Sequence, residues 1–346
     1  MKFILKIFLP LVLLVAGVAG FYFYTQFEQF KQAKLSRDIS SFEIKKGSNI
    51  RIVAKNLKNK NIINSDLYFR VLAKLNKQDR KIKAGEYSLK KGLTPTELLN
   101  LFSKGKTLQY QTRIPEGGIF KDLVKLIKAD TNLKQTLSDA DYTNIMSKLT
   151  TEYKHHKPEG WFLPDTYSYP KNTSDLEFLQ RAHTAMIKAL DKYWKDRKIF
   201  AGIDTRYDAL ILASIIEKET GHASDRTKVA RVFINRLKKN MLLQTDPTVI
   251  YGMGESYRGN IRKKDLKKDT PYNTYTRKGL PPTPIATASL ASIQAVFEPE
   301  NGDILYFVAT GKGDGTSYFS KTYKEHKKAV IKYLLNGKAS RYKGNK

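Results

Sequence analysis

The chain has 346 residues, 41% of them apolar, and no cysteine. This length suits two or three compact units, and the lack of thiols excludes a disulfide framework, a thiolate nucleophile and a thiolate metal site. The formal net charge of +29 favours binding to a polyanion such as nucleic acid, anionic lipid or an anionic wall polymer. Because the lysines are spread along the chain, a solvated basic surface is the simpler interpretation.

The N-terminal segment has the composition of a membrane anchor. An apolar run over residues 7–24 follows two lysines, is about as long as the shortest bilayer-spanning helix, and ends in an aromatic cluster suited to the headgroup level. Small residues at 16–20 offer the alternative of a cleaved signal peptide. Because the apolar run continues past them, we expect an uncleaved transmembrane anchor over residues 1–24 and a polar juxtamembrane helix or linker over residues 25–40.

A short strand, a glycine and a helical pattern then follow one another three times, with glycines at Gly47, Gly92 and Gly117. Residues 41–106 are predicted to form a small α/β unit with strands on either side of two helices. This arrangement resembles the LysM-like carbohydrate-binding unit. Small strand–helix units occur in proteins of many functions, so the pattern predicts the fold of this unit better than its ligand.

Residues 107–340 have the mixed pattern of a larger α+β domain. The predicted elements are a helical stretch from Phe120 to Tyr153 with a cap at Ser138, a structured loop at 157–167, a helix over 176–197, two further helices, a long loop, a helix, strands at 304–309 and 317–320, and a last helix from Tyr323. The predicted fold class is therefore α+β: a transmembrane helix, a LysM-like unit and a catalytic domain.

The helix predicted over residues 208–220 is apolar and carries Glu217 and Glu219 near its end. At 100° per residue, the side facing away from Glu217 holds large apolar residues, whereas Ala213, Ser214 and Thr220 lie near Glu217. Small neighbours predict a groove through which a ligand reaches Glu217. Glu219 lies about 200° away, so the helix cannot present both carboxyl groups as a facing pair. The alternative is an ion-paired surface glutamate.

The segments that follow this helix form a loop rich in Tyr, Asn, Gln and Pro, the residue types that stack on sugar rings and bind their hydroxyl groups. The candidate substrate-binding residues are Gln244, Asp246, Tyr272, Asn273 and Tyr275. The alternative is that several of them only brace the loop. The five histidines include no helical pair at ligand spacing, and no phosphate-binding glycine loop is present, so we expect no metal and no cofactor.

These blocks together are similar to the signature of one family. Residues 213–220, 244–248, 271–275 and 279–282 resemble the motifs of the MltG/YceG-like endolytic murein transglycosylases, in the same order, and residues 114–117 and 159–167 match earlier motifs. The resemblance covers about residues 40–335. It implies a bacterial inner-membrane protein whose catalytic domain lies outside the cytoplasm, with peptidoglycan glycan strands as substrate and the wall-synthesis machinery as a possible partner.

The resemblance also implies a mechanism with one protein carboxyl group, which falls on Glu217 because it opens the Glu-Lys-Glu triplet. Glu217 would protonate the oxygen of the MurNAc–GlcNAc bond and then accept the proton of the sugar C6 hydroxyl, leaving a 1,6-anhydro-MurNAc end. Two other interpretations stay open. One is a non-catalytic, membrane-anchored scaffold that binds the wall; the other is a nucleic-acid-binding protein, which only the charge favours and the membrane segment disfavours.

Two segments depart from the family pattern. Residues 286–289 read Ala-Thr-Ala-Ser where the family has an Asn-Pro-Gly turn, and Ser317 stands where the family has a histidine. Neither belongs to the block around Glu217. We therefore expect them to affect the local turn and the late hairpin, and not the catalytic carboxyl group.

Overall fold

The computed structural model describes residues 2–342, with side chains described from Pro10 onward. The chain forms two compact units. The first comprises Met1–Tyr110 with Ser168–Asn172, and the second comprises Gln111–Tyr167 with Thr173–Lys346. Both units mix helices with short strands, which confirms the α+β class.

The first element is the long helix α1 (Lys2–Gln32). Its stretch Pro10–Gln32 has a mean hydropathy of 1.5 and, among the described residues, is the one segment long and apolar enough to cross a membrane. Large apolar side chains on this stretch are exposed, including Leu13, Leu14 and Phe21. Exposed apolar surface of this extent suits a lipid environment, and a signal sequence meets the same criteria of length and composition.

The segment after the aromatic cluster packs into a hydrophobic core, although the sequence predicted a polar helix or linker. Phe27, Phe30 and Leu35 are buried in the core of the first unit. Phe30 and Phe27 lie three residues apart on one face of α1, and both contact the ring of Tyr68. Residues 25–40, predicted as a polar helix or linker, therefore contribute to a folded core.

The rest of the first unit follows the predicted order of strand, helix, helix, strand and helix. Its elements are β1 (Ile39–Ile44), α2 (Ile50–Asn59), α3 (Asp66–Leu75), β2 (Gly85–Leu89) and α4 (Pro95–Lys104). Strands β1 and β2 are antiparallel, with Phe42 opposite Tyr87. Side chains of Asn49, Ser65 and Thr94 cap the three helices. The arrangement agrees with the topology predicted for residues 41–106; a LysM-like sugar-binding role stays a prediction.

The second unit contains most of the helices. Its elements, together with two strands that each have residues in both units, are β3 (Gln109–Arg113), α5 (Phe120–Ala129), β4 (Leu133–Lys134), α6 (Asp139–Thr143), α7 (Ile145–Leu149), β5 (Thr166–Pro170), β6 (Thr173–Ser174), α8 (Asp175–Trp194), α9 (Arg206–Glu219), α10 (Arg226–Lys238), α11 (Asp246–Met253), α12 (Lys263–Lys267), α13 (Leu290–Phe297), β7 (Tyr306–Ala309), β8 (Ser317–Ser320) and α14 (Tyr323–Tyr333).

The helical stretch predicted from Phe120 to Tyr153 consists of α5, α6 and α7, with the short strand β4, which the prediction missed, between α5 and α6. The buried carboxylate of Asp175 accepts hydrogen bonds from the backbone N–H groups of Thr136 and Leu137, each at 3.0 Å. Ser138, the predicted cap, starts α6 in a capping box with Asp141. Backbone groups that bind side chains in this way cannot continue a helix.

Helix α9 is the centre of the second unit. Every side chain from Ala209 to Ile216 is buried, and α9 packs against α8, α10, α11 and α13. The predicted apolar face of α8 is confirmed by the burial of Leu179, Ala182, Met186 and Leu190. A helix surrounded by others has a fixed rotation about its axis, and this rotation determines where the residues at its C-terminal end point.

The burial of Phe30 generates a prediction about the first unit. Phe30→Ala should lower the free energy of unfolding of this unit by about 3–5 kcal/mol, because it removes a buried aromatic side chain and leaves a cavity. Hydrogen exchange of the β1 and β2 amides measures this loss. Leu67→Ala on α3, where the side chain is 48% exposed, is the matched control and should change exchange little. Equal effects of both substitutions would contradict the packing of α1 into this core.

Candidate functional site

Three consecutive residues at the end of α9 contact three different segments of the second unit. Glu217 Oε2 accepts hydrogen bonds from Ser289 and Ser292. Lys218 Nζ donates to the carbonyl of Gly117 at 3.1 Å. Glu219 accepts a hydrogen bond from the hydroxyl of Thr245. The two carboxyl groups therefore lie in separate environments, as their angular separation on the helix predicted.

The Glu217 carboxyl group is held through one oxygen. Oε2 accepts from Ser289 N at 3.0 Å, from Ser289 Oγ at 2.5 Å and from Ser292 Oγ at 2.7 Å, and Ser289 is the N-cap residue of α13. The N-terminal N–H groups of a helix attract a carboxylate through hydrogen bonding and the helix dipole. Both serines are buried, whereas Glu217 is partly exposed. Glu217 thus connects the end of α9 to the start of α13.

The groove predicted beside Glu217 is occupied by protein. Ala213 and Ser214 are completely buried. Ser214 Oγ donates to the carbonyl of Ile211 at 2.7 Å and accepts from the N–H of Ile285 at 3.0 Å. The small side chains on this face of α9 allow the backbone that precedes α13 to approach closely. They therefore serve packing between two protein segments.

The first departure from the family motif lies directly against Glu217, which corrects the expectation that it would not affect this residue. Ser289 supplies two of the three hydrogen bonds to Oε2. Thr287 in the same segment exchanges backbone hydrogen bonds with Gly117 and Gly118, at 2.9 and 2.8 Å. Residues 286–289 and the turn at Gly117 are far apart in the sequence. In the fold, both lie at the end of α9.

The second departure has a backbone role. The N–H of Ser317 donates to Asp225 Oδ2 at 2.7 Å, and Asp225 is buried. Because the contact uses the main chain, a residue of another type at position 317 could make the same hydrogen bond. This bond ties the start of β8 to the segment before α10.

Glu219 lies on a cavity of about 800 Å³. The other groups on the cavity wall come from α10, the segment before α11, the loop around Tyr275, the late hairpin and α14, and include Arg236, Gln244, Asp246, Tyr275, Tyr306 and His326. Burial raises the pKa of Glu219 to about 7, and the negative charge of Asp246 acts in the same direction. A cavity of this size and polarity accommodates a ligand as large as an oligosaccharide unit.

Three of the five predicted substrate-binding residues share this cavity with Glu219. They are Gln244, Asp246 and Tyr275. Tyr275 OH donates to Asp246 Oδ1 at 2.5 Å, and the N–H of Gln244 donates to the carbonyl of Thr274 at 3.1 Å. The loop around Tyr275 and the start of α11 are therefore joined at the cavity wall.

The remaining two predicted residues brace the loop. Asn273 is buried; its Nδ2 donates to the carbonyls of Leu266 and Lys268 at 3.0 and 2.7 Å, and its Oδ1 accepts from the N–H of Tyr275. Tyr272 OH forms a hydrogen bond with Thr283 Oγ1 at 3.0 Å. Tyr275 lines the cavity and Asn273 does not. Asn273 thus acts by positioning the backbone of Tyr275.

Glu159 is a buried acid that sequence reasoning did not single out. Its Oε1 accepts from the N–H of Phe120, the first residue of α5, at 2.9 Å, and its Oε2 accepts from Tyr251 OH on α11 at 3.1 Å. Burial raises the pKa of Glu159 to about 7 despite these hydrogen bonds. The sequence contains one signal for this role of Glu159. Ile119 at the start of α5 has no side chain able to cap the helix, so an acceptor from another segment is needed.

The chain is similar in sequence to known proteins over most of its length. The sequence model of the YceG-like family matches residues 42–332. The endolytic murein transglycosylase of Bacillus subtilis (strain 168) is 34% identical over 318 residues, which cover 87% of this chain and 86% of that protein. The enzyme of the same name from Streptococcus pneumoniae (strain D39) is 28% identical over 364 residues, covering 96% of this chain and 65% of the longer relative.

A solved structure has a similar fold. The crystal structure of a YceG-like protein from Listeria monocytogenes aligns with a TM-score of 0.53 and 32% sequence identity. The alignment covers 85% of this chain and 99% of that protein.

The buried carboxyl group of Glu159 predicts a pH dependence of stability. Its folded pKa of about 7 lies above the ordinary value of 4.5, so its favourable contribution is complete below pH 4.5 and is lost as the pH rises through 7. Glu159→Gln keeps an acceptor for Phe120 N and cannot ionise. We compare the free energy of unfolding of the variant with that of the parent at each pH. The variant-minus-parent difference should be about 3 kcal/mol larger at pH 8 than at pH 4.

Urea unfolding followed by tryptophan fluorescence at pH 4, 6 and 8 measures this difference, since Trp161 and Trp194 both belong to the second unit. Glu116→Gln, at an exposed glutamate, is the control and should track the parent protein at every pH. A pH-independent gap between the Glu159 variant and the parent would contradict the assignment.

Proposed function

The chain belongs to the YceG-like family and is an endolytic murein transglycosylase, and on this premise we propose which of its residues cleave peptidoglycan glycan strands. The reaction breaks the MurNAc–GlcNAc bond and leaves a 1,6-anhydro-MurNAc end. It requires one group that donates a proton and later accepts one. Because the sugar's own C6 hydroxyl is the nucleophile, no second carboxylate is needed to activate a water molecule.

The geometry favours Glu219 over Glu217 as this group. Glu219 lies on the 800 Å³ cavity together with three predicted substrate-binding residues, and burial raises its pKa to about 7. A carboxyl group with a pKa near the working pH is suited both to donate and to accept a proton. Its Oε1 accepts the Thr245 hydroxyl, and Oε2 has no hydrogen bond from the described residues. The shared cavity is the observation that carries the proposal.

Glu217 is the alternative that the family resemblance suggested. Its Oε2 is occupied by the two serines, while Oε1 has no hydrogen bond from the described residues and the side chain is partly exposed. The cavity around Glu219 does not include Glu217 on its wall. In our proposal Glu217 fixes the orientation of the α9 terminus, and the assignment of catalysis to it is the competing outcome of the experiment below.

The proposed reaction proceeds in two proton transfers. Protonated Glu219 donates to the bridging oxygen as the bond from this oxygen to C1 of MurNAc breaks. The C6 hydroxyl oxygen then bonds to C1, and its proton passes to the Glu219 carboxylate, which restores the starting state. Tyr275, held by Asp246 at 2.5 Å, and Gln244 are proposed to seat the sugars beside this carboxyl group.

We further propose that α1 anchors the protein in the cytoplasmic membrane as a single uncleaved span, with both compact units on the outer side. The exposed apolar side chains of Pro10–Gln32 support a span. The packing of Phe27 and Phe30 into the first unit makes the proposed span and this unit parts of one continuous helix, and cleavage near the small residues at 16–20 would leave the core intact but unanchored. Association with the wall-synthesis machinery and glycan binding by residues 41–106 belong to the same proposal.

Paired variants test the catalytic assignment. Glu219→Gln should lower the rate of strand cleavage by at least about 1,000-fold, because an amide cannot donate the proton. Glu217→Gln retains an acceptor for the serines and should keep measurable activity, reduced about tenfold or less. Incubation with purified sacculi, followed by mass spectrometry of anhydro-muropeptides, gives both rates and reports the bond that is cut.

The reverse result, an inactive Glu217→Gln protein and an active Glu219→Gln protein, would falsify the assignment to Glu219 and support Glu217. Glu177→Gln, at an exposed glutamate on α8, serves as the control for both variants and should cleave like the parent protein. Circular dichroism of every variant checks that the fold is retained. If the parent protein releases no anhydro ends, the alternative of a wall-binding scaffold is supported instead.

The pH dependence of cleavage tests the same carboxyl group independently. Because the acid must be protonated, kcat/KM should fall as the pH rises through about 7. Asp246→Asn removes a negative charge that raises the pKa of Glu219, so the descending limb should move to lower pH by about 0.5–1 unit. If the descending limb of the kcat/KM profile lies at the same pH in this variant as in the parent, the group that titrates is not Glu219.

A further inference from the structure

The cavity beside Glu219 also has a cationic wall that the cleavage mechanism does not use. Arg236 of α10, Lys263 of α12 and Arg341 near the end of the described chain line it together with the two carboxyl groups. None of the three cations forms an ion pair with a carboxylate among residues 10–342. Three unpaired cations around one cavity attract an anionic ligand.

Arg236 is the buried member of this set, with 8% of its surface exposed. Its Nε donates to the carbonyl of Leu305 at 2.8 Å and its Nη1 to that of Leu243 at 2.7 Å. Nη2 has no acceptor among the described residues. A buried guanidinium held only by neutral carbonyl groups keeps its full positive charge available to a ligand.

Aromatic rings accompany these cations. Tyr306, Tyr323 and Tyr342 line the cavity; the guanidinium of Arg236 lies 5.3 Å from the ring centre of Tyr306, and the hydroxyls of Tyr323 and Tyr342 are 2.8 Å apart. Rings of this kind stack on the apolar faces of sugars. The wall therefore combines groups that bind a saccharide with groups that bind a negative charge.

We propose that this wall, formed by Arg236, Lys263 and Arg341, binds a carboxylate carried by a muramic acid residue of the strand. The proposal rests on the function given above and adds a requirement for an acidic substituent. A singly charged, planar carboxylate matches the guanidinium fork. A phosphate dianion fits less well, since Glu219 and Asp246 on the same cavity would repel its second charge. The carboxylate comes either from the lactyl group of a strand that carries no stem peptides or from a stem peptide.

Binding of defined strands tests this proposal without requiring cleavage. The full-length protein in detergent, carrying Glu217→Gln and Glu219→Gln so that neither candidate acid can act, is titrated into fluorescently labelled strands and followed by anisotropy. The strands carry free lactyl carboxylates, lactyl methylamides, or amide-linked stem peptides. We expect the free-acid strand to bind about tenfold more tightly than the methylamide strand.

Substitution of the exposed cations should reduce this preference. Lys263→Gln with Arg341→Gln should weaken binding of the free-acid strand at least about threefold and leave the methylamide strand unchanged. The matched control is Lys264→Gln with Lys338→Gln, at exposed positions off the cavity wall, which should keep the preference. Arg236 is left intact in this test because its substitution would leave two buried carbonyl groups without donors.

The outcomes separate the sources and the two proposals. Tight, cation-dependent binding of peptide-bearing strands identifies the stem peptide as the source, and binding of the free-acid strand alone identifies the lactyl group. Equal affinity for the free-acid, methylamide and peptide-bearing strands, or an affinity for the acidic strands that the Lys263 and Arg341 substitutions do not reduce, overturns the carboxylate site. The failure of the proposed function has a different signature, the absence of anhydro ends from the parent protein, and does not alter these binding constants.

Discussion

The burial of helix α9 on all sides is the constraint on which the site depends. A helix that packs against α8, α10, α11 and α13 cannot rotate to relieve a misplaced side chain at its end. Its last turn is fixed further by three separate segments: Lys218 donates a hydrogen bond to one, and Glu217 and Glu219 accept hydrogen bonds from the other two. These contacts hold the Glu219 carboxyl group to one direction. A proton transfer between this group and a bound sugar requires such positioning, because small displacements reduce the rate strongly.

The two glutamates show how environment separates the properties of identical side chains. Glu217 accepts hydrogen bonds from hydroxyl and N–H donors at the start of α13. Glu219 lies beside Asp246 on the cavity, where desolvation raises its pKa to about 7. Glu159 resembles Glu219 in its raised pKa but is enclosed by Phe120 and Tyr251 and has no part in the cavity. Our proposal of Glu219 as the catalytic acid therefore rests on its access to a ligand-sized space, and not on its raised pKa alone.

The cavity joins elements that are remote in the chain, from α9 to the residues after α14. Its polar residues divide into those that line it and those that hold the lining in place. Asn273 is the clearest example of the second class, since its amide group joins the backbone at residues 266–268 to that of Tyr275. A loop with little regular structure gains a defined shape through such side-chain hydrogen bonds. This supporting network explains why a polar, aromatic sequence can form one wall of a site.

The sequence alone determined the properties that depend on local pattern. The apolar length of α1, the strand–glycine–helix repeats, the apolar face of α8 and the late hairpin all follow from periodicity and turn residues. It also established that Glu217 and Glu219 point in different directions, because a helix fixes the angle between its residues. It could not determine what packs against each direction. The small face of α9 packs against residues 285–289, and the cavity opens at Glu219 because segments between residues 219 and 342 meet there. Only tertiary structure decides such contacts, since long-range packing has no period in the sequence.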